Sequence, residues 1–104
     1  MAFAKLDLFS DETVEMAAFA SALSHPARIA LLKYLLEHPG CRCTELIESV
    51  PLSQPSCSRH LSELRKAGLV TSTSKGNEVR CELNRKRITM FCNAIQQNLK
   101  GICS

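Results

Sequence analysis

Leu52 to Val70 reads LSQPSCSRHLSELRKAGLV, and the parsing of this stretch decides the fold. Ser53 is a good N-cap, and Pro55 follows in the first turn, where a missing N–H costs nothing. Cys57, Leu61 and Leu64 recur at i, i+4 and i+7 and make one apolar stripe on a helix. Gly68 stops that helix in the left-handed conformation usual after a C-cap. The other face carries Gln54, Ser56, Ser58, Arg59, Ser62 and Lys66, with Glu63 among them. A helix exposed only for solubility normally alternates Glu and Lys. Short hydroxyls with Gln and Arg near the N-terminus are instead the groups that read base edges and phosphates in a DNA major groove.

Upstream, Thr44 can cap a short helix, Glu45 to Val50, with Leu46, Ile47 and Val50 inward and Pro51 as its end. Two short helices joined by about three residues form a helix-turn-helix, residues 44–67, with the second helix as the reader. Downstream, Leu69 to Ser74 and Glu78 to Leu83 are β-prone runs around Lys75-Gly76-Asn77, a hairpin signal. Val79, Cys81 and Leu83 alternate with Glu78, Arg80 and Glu82 in the second run. A helix-turn-helix followed directly by a basic-tipped hairpin, residues 69–83, is a winged helix. Lys75 and Arg80 are its expected contacts to phosphate or minor groove.

The rest of the chain supplies a frame. Residues 1–9 have no period and are read as an arm. Ser10 or Asp11 caps a helix to about Leu23, with Val14, Ala17, Ala18 and Ala22 as its apolar face. Ser24 caps a second helix with Pro26 just inside, and Ile29, Leu32, Leu35 and Leu36 mark its buried side; His38-Pro39-Gly40 ends it. Asn84 caps the last helix, Arg85 to about Ile102, striped by Ile88, Phe91, Cys92, Ile95 and Leu99. A core this small has little use for so long a stripe, so Ile88, Phe91, Ile95 and Leu99 are the expected interface of a homodimer. The expectation is one domain over residues 1–104, mainly α with a small β-hairpin, in the order ααααββα.

Charge is distributed unevenly. Residues 1–52 hold four basic and seven acidic side chains, whereas residues 53–87 hold eight basic and three acidic. The positive charge therefore sits on the reader and the wing, as a nucleic-acid face on a small protein requires. No apolar run approaches the about 20 residues of a membrane span, and MAFAKLDLFSDE is too polar for a signal peptide. A cytoplasmic protein is expected, without membrane partners and with its six cysteines reduced. No Ser-His-Asp set, glycine-rich phosphate loop or carboxylate pair is present, so an enzyme is not expected.

Cys41 and Cys43 flank Arg42 near a helix start, a setting expected to favour thiolates. They supply two ligands, and Cys92, Cys103 or His38 would have to add others. Cys57 and Cys81 sit where small core residues serve. Cys92 and Cys103 share a helix face about 16 Å apart, so only an antiparallel pairing of protomers brings them together. His60 is expected to pack and hydrogen-bond locally, and His25 to lie at the surface.

The stretches ALSHPARIALLKYL and TELIESVPLSQPSCSRHLSELRKAGLV, and the hairpin ending EVRCELN, resemble the ArsR/SmtB family of bacterial regulators over about residues 20–84. The resemblance implies a homodimeric winged-helix repressor, dimerised through its first and last helices and released from operator DNA by an inducer. Arsenite and cadmium sensors of that family carry Cys-x-Cys-Asp/Glu-Leu. Here Cys41-Arg42-Cys43-Thr44-Glu45-Leu46 holds the Cys-x-Cys one residue too early. Zinc sensors place Asp, His and Glu on the last helix, and residues 85–104 have none. Some redox sensors pair a C-terminal cysteine with one on the second helix, where this chain has Lys33. The thiol or metalloid site expected here is Cys41 and Cys43, with Cys103 as a partner; DNA binding itself needs no cofactor. The alternatives are a regulator without an effector and a winged-helix module that binds protein rather than DNA.

Overall fold

The computed structural model describes residues 8–103, with side-chain surroundings up to Lys100. Most of the expected arm, and the side chains of Ile102 and Cys103, lie outside the described residues. The order is α1 (Asp11–Ala22), α2 (Pro26–Glu37), α3 (Cys43–Glu48), α4 (Gln54–Lys66), β1 (Val70–Lys75), β2 (Glu78–Leu83) and α5 (Arg85–Cys103). This is the expected winged helix-turn-helix. No described helix is long and apolar enough to cross a membrane.

The reader helix α4 begins and ends as its sequence dictates. Ser53 Oγ accepts from Ser56 N at 3.4 Å. At the other end Leu69 N donates to Leu64 O and Gly68 N to Arg65 O, the paired bonds of a Schellman motif. Its apolar contact is present too, since Leu64 and Leu69 are both fully buried. Cys57, Leu61 and Leu64 face the core beside Leu31, Leu35 and Leu46.

Three helices differ in detail from expectation. In α1 the buried residues are Phe19 and Ala22, while Ala17 and Ala18 are exposed. The Phe19 ring stacks on Phe91 with centroids 4.6 Å apart, and burying two phenyl rings outweighs burying two methyls. In α2 the core residues are Leu31 and Leu35, while Ile29 and Leu36 are 38% and 54% exposed. This helix is apolar almost all round, so periodicity alone did not fix its inward side. Its N-cap is His25; Ser24 instead donates to Ser21 O at the end of α1. Helix α3 starts at Cys43, two residues early. Arg42 is held extended by a β-bridge to Arg80, so the chain turns helical directly after it and Thr44 caps nothing.

The hairpin runs in the register Val70↔Leu83 to Lys75↔Glu78, closed by Gly76 and Asn77, with Gly76 at φ +65°. Val79, expected inward, is 40% exposed because the β2 face stays covered only near its base, where Cys81 is fully buried. The segment before α3 lies along the other edge of β2. Cys81 N donates to Cys41 O at 2.9 Å, and Gly40 N donates to Cys81 O at 3.1 Å. Asn84 caps α5, its Oδ1 accepting from Arg87 N at 3.2 Å.

Candidate nucleic-acid interface and thiol cluster

The outward face of α4 carries a short hydrogen-bonded set. Gln54 Nε2 donates to Ser58 Oγ at 2.9 Å, and Ser53 Oγ to Ser56 Oγ at 3.0 Å. These bonds lie at the surface and can be exchanged for base edges at little cost. Arg59 is exposed and has no carboxylate partner among the described residues. Lys66, by contrast, pairs with Glu63 at 3.6 Å. On the core side His60 Nδ1 accepts from Arg28 Nε at 3.1 Å, which ties α4 to α2. Burial, then the positive charges of Arg28, His25 and Arg59, hold His60 below the ordinary imidazole pKa. A neutral His60 is what that hydrogen bond requires, and the expectation of local packing is met.

At the wing, Lys75 stands exposed beside the Gly76-Asn77 tip. Arg80 is tied down at the surface, its side chain 41% exposed. Its guanidinium donates to Glu78 Oε2 at 2.6 Å and to Gly40 O at 3.2 Å, clamping β2 to the segment before α3. Being committed to two partners inside the protein, it braces the wing.

The thiols are arranged differently from their spacing. Cys41 is buried, 6% exposed, and Cys43 is half-buried. Burial, Glu45 and the neighbouring Cys81 push the Cys41 thiol above its ordinary pKa. Burial and the Cys81 thiol likewise raise Cys43, with Arg65 working in the opposite direction. The expected thiolate character of this Cys-x-Cys is therefore corrected: loss of solvent raises both thiols, and at Cys43 it outweighs Arg65. Arg65 Nη2 donates to Cys43 Sγ at 3.4 Å, its Nε donates to Ser72 Oγ at 2.7 Å, and Ser72 Oγ lies 3.7 Å from Cys81 Sγ. Among the described residues no group of three or more His, Cys, Asp or Glu is placed to hold a metal ion.

A family model described as a helix-turn-helix domain matches residues 23–73. The arsenical resistance operon repressor of Staphylococcus xylosus is 34% identical over 85 residues, spanning 82% of this chain and 77% of that protein. The HTH-type transcriptional regulator YgaV of Escherichia coli (strain K12) is 31% identical over 88 residues, 85% of each chain. The solved structure of an ArsR-like transcriptional regulator from Rhodococcus sp. RHA1 superposes with a TM-score of 0.73 at 25% identity, covering 82% of this chain and 79% of that one. This chain belongs to the ArsR/SmtB family. It is a transcriptional regulator and not an enzyme.

Within that family frame Gln54, Ser56, Ser58 and Arg59 all lie in the first half of α4, Gln54 and Ser58 together in the groove that faces the wing and Ser56 and Arg59 further round the helix. The structure sets Lys75 apart from them at the wing tip and ties Arg80, whose side chain is 41% exposed, to Glu78 and Gly40. On α5, Ile88 and Ile95 are half-buried and Leu99 is 39% exposed. Phe91 is different: at 3% exposure it belongs to the α1–α5 core, and the Arg87 guanidinium lies 5.0 Å from its ring centroid. Sequence reasoning missed Met90, which is 47% exposed, because it lies one position off the stripe. It also missed Arg65 and Ser72, which no spacing rule places beside Cys43 and Cys81.

Proposed function

We propose that this regulator is a cytoplasmic homodimeric repressor that binds operator DNA in sequence-specific fashion and is released by a thiol-reactive or metalloid effector. The observation that carries the reading is the solvent-facing side of α4. Gln54 and Arg59 are exposed there and Ser56 and Ser58 half-buried, on the most basic part of the chain, with Gln54 and Ser58 lining a groove shared with Asn77 and Glu78 of the wing. In this reading α4 enters the major groove, its side chains meet base edges, and Lys75 meets a phosphate or the minor groove. Arg80 stands at the base of that contact and also braces the wing through Glu78 and Gly40. Helices α1 and α5 pair with those of a second copy through Met90, Ile95 and Leu99, which places two reader helices for two half-sites. The effector acts at the cysteines around the start of α3. DNA binding itself needs no cofactor.

The test is titration of labelled duplexes by the reduced protein at several salt concentrations. Binding should weaken linearly in log–log form with salt, and a palindromic operator should be preferred over random duplex. Arg59→Ala should cost roughly 1–3 kcal/mol and relax the preference at one base position if its contact is bidentate. Salt-independent binding, or no binding to any duplex, would return the reading to a protein-binding winged helix. Unchanged affinity and base preference in Arg59→Ala would remove that residue from the interface.

A further inference from the structure

Four basic side chains from two helices meet at one junction without an acid among them. His25 and Arg28 stand at the start of α2, and Arg59 and His60 in the middle of α4. Arg28 Nε donates to His60 Nδ1 at 3.1 Å, and the His25 and His60 ring centroids are 5.1 Å apart. The other partner of Arg28 is neutral, Ser21 O at 3.3 Å from its Nη1. None of the four pairs with a carboxylate among the described residues. Glu63, one turn along α4, is held by Lys66, and Asp11, Glu12 and Glu15 lie towards the end of α1 opposite Ser21. The charges that reach His60 are those of Arg28, His25 and Arg59, all positive, and with burial they disfavour its protonated form. Donors here are also unanswered. Nδ1 accepts, so the neutral ring carries its proton on Nε2, and neither Nε2 nor Arg28 Nη2 has a protein acceptor among the described residues. Both reach solvent, since no buried side-chain nitrogen lacks a partner. Clustered N–H donors and like charges of this kind suit an anion, and Arg59 carries the cluster out to the exposed side of the reader helix.

We propose that His25, Arg28, His60 and Arg59 hold a backbone phosphate of duplex DNA beside the reader helix, and that His60 takes up a proton in doing so, which makes DNA binding tighten as pH falls. At about pH 7.5 the phosphate oxygens accept from the Nε2–H of a neutral His60, from Arg28 Nη2 and from Arg59. At lower pH Arg28 turns its Nε–Nη2 edge from His60 to two phosphate oxygens. The freed Nδ1 takes a proton from solution, and the phosphate supplies the countercharge that the free protein lacks. One proton is taken up for each phosphate held, and only hydrogen bonds are exchanged. The sign follows from linkage. The DNA-bound protein holds the His60 proton at a higher pH than the free protein does, so affinity rises as pH falls between the two values. The same cluster that weakens the free fold in acid therefore strengthens its hold on a polyanion.

The inference rests on the proposed DNA binding, and the experiment lets the two fail separately. Full-length protein is titrated into a labelled random-sequence duplex at one low salt concentration, at roughly pH 7.5 and 6.0, since the phosphate contribution does not depend on sequence. Wild-type affinity should rise about fivefold over that interval. His60→Gln keeps an acceptor for Arg28 but takes no proton, and should gain less than about twofold. His38→Gln, whose ring stacks on Tyr34 at the other end of α2, should gain as the wild type does. Arg28→Gln should weaken binding at both pH values and reduce the salt slope by about one. Circular dichroism at each pH checks that the variants are folded, and His60→Gln decides the matter if Arg28→Gln is not. By NMR the His60 ring should titrate at higher pH with duplex bound than without, and inorganic phosphate at equal phosphate concentration should leave it where it was. Equal gains in wild type and His60→Gln, or a His60 titration that bound duplex does not move, would overturn the site while DNA binding stands. A titration moved as far by inorganic phosphate would overturn duplex DNA as the source of the anion. Absence of duplex binding at both pH values would overturn the proposed function, and this inference with it.

Discussion

Gly68 holds φ at +78°, where an L-residue costs about 1–2 kcal/mol. It has a second constraint that Gly76 lacks. A Cβ at position 68 would stand 2.6 Å from Arg87 Nε and 2.8 Å from its Cδ, whereas one at position 76 meets nothing within 4 Å. Arg87 cannot simply swing away, because its Nε donates to Ala67 O at 2.9 Å and its guanidinium lies over Phe91. Gly68→Ala should therefore lower the urea midpoint more than Gly76→Ala, at unchanged m-value, by roughly 1 kcal/mol or more beyond the backbone strain both share. Equal midpoints for the two variants would show that Arg87 carries no such role. The need for glycine at 68 was legible from the helix stop alone. The Arg87 contact was not, since it joins residues 19 positions apart through the docking of α5 against the end of α4.

Between elements, the junction of α2 and α4 depends on one titratable group. Arg28 donates to Nδ1 of His60, and the His25 ring lies 5.1 Å from the His60 ring. His60 titrates below the ordinary imidazole value in the folded chain, for the reasons of burial and neighbouring positive charge given above. Between the folded and the unfolded pKa the unfolded chain binds more protons, so stability falls as pH drops through about 6.5. Wild type should therefore lose more melting temperature than His60→Gln between roughly pH 7.5 and 5.5, because glutamine can accept from Arg28 without taking a proton. Parallel losses in the two proteins would remove His60 from the acid response. A similar cross-link joins α2 to α3, where the Tyr34 hydroxyl donates to Glu45 Oε2 at 2.8 Å. The long helix α2 is thus pinned to both helices of the helix-turn-helix by polar contacts at the margin of the core.

For the molecule as a whole, α5 divides its apolar residues between two tasks. Phe91 stacks on Phe19 and closes the chain's own core, while Met90 and Leu99 stay 47% and 39% exposed. Met16, Met90 and Ala94 line a groove between α1 and α5, adjoining the same surface. A substitution at Phe91 would therefore unfold the α1–α5 pair before it tested assembly. Leu99→Asp is the cleaner probe. It should leave the melting temperature of the subunit nearly unchanged, yield monomers in sedimentation at micromolar concentration, and weaken binding to a two-half-site operator more than to a single half-site. A wild-type protein that sediments as a monomer under the same conditions would end the dimer reading.

Local chemistry in the sequence determined the order of elements, the start and stop of α4, the glycine turn of the wing and the cap of α5, while the structure extends β1 to Lys75 and shortens the tip to Gly76 and Asn77. Each depends on residues within one turn of one another: Ser53 on Ser56, Gly68 on Leu64, Gly76 on its own φ, Asn84 on Arg87. Helical spacing puts Arg59 opposite the Cys57, Leu61 and Leu64 stripe, whereas Gln54 shares the line of Cys57 and Leu61 and is exposed as the first residue of the helix. Only the tertiary structure decided which side of the largely apolar α2 turned inward, because several stripes offered similar area and the partners Leu46 and Leu61 chose between them. It alone showed that Arg80 is held by Glu78 and Gly40, and that Phe91 is buried in the chain's own core. The thiols make the same point. Spacing paired Cys41 with Cys43 and expected thiolates, whereas the β-bridge at Arg42 buries Cys41 against Cys81, 40 positions on, leaves Cys43 half-buried, and raises both thiols. Burial and contact between distant segments set a thiol's environment, and neither is written in the residues beside it.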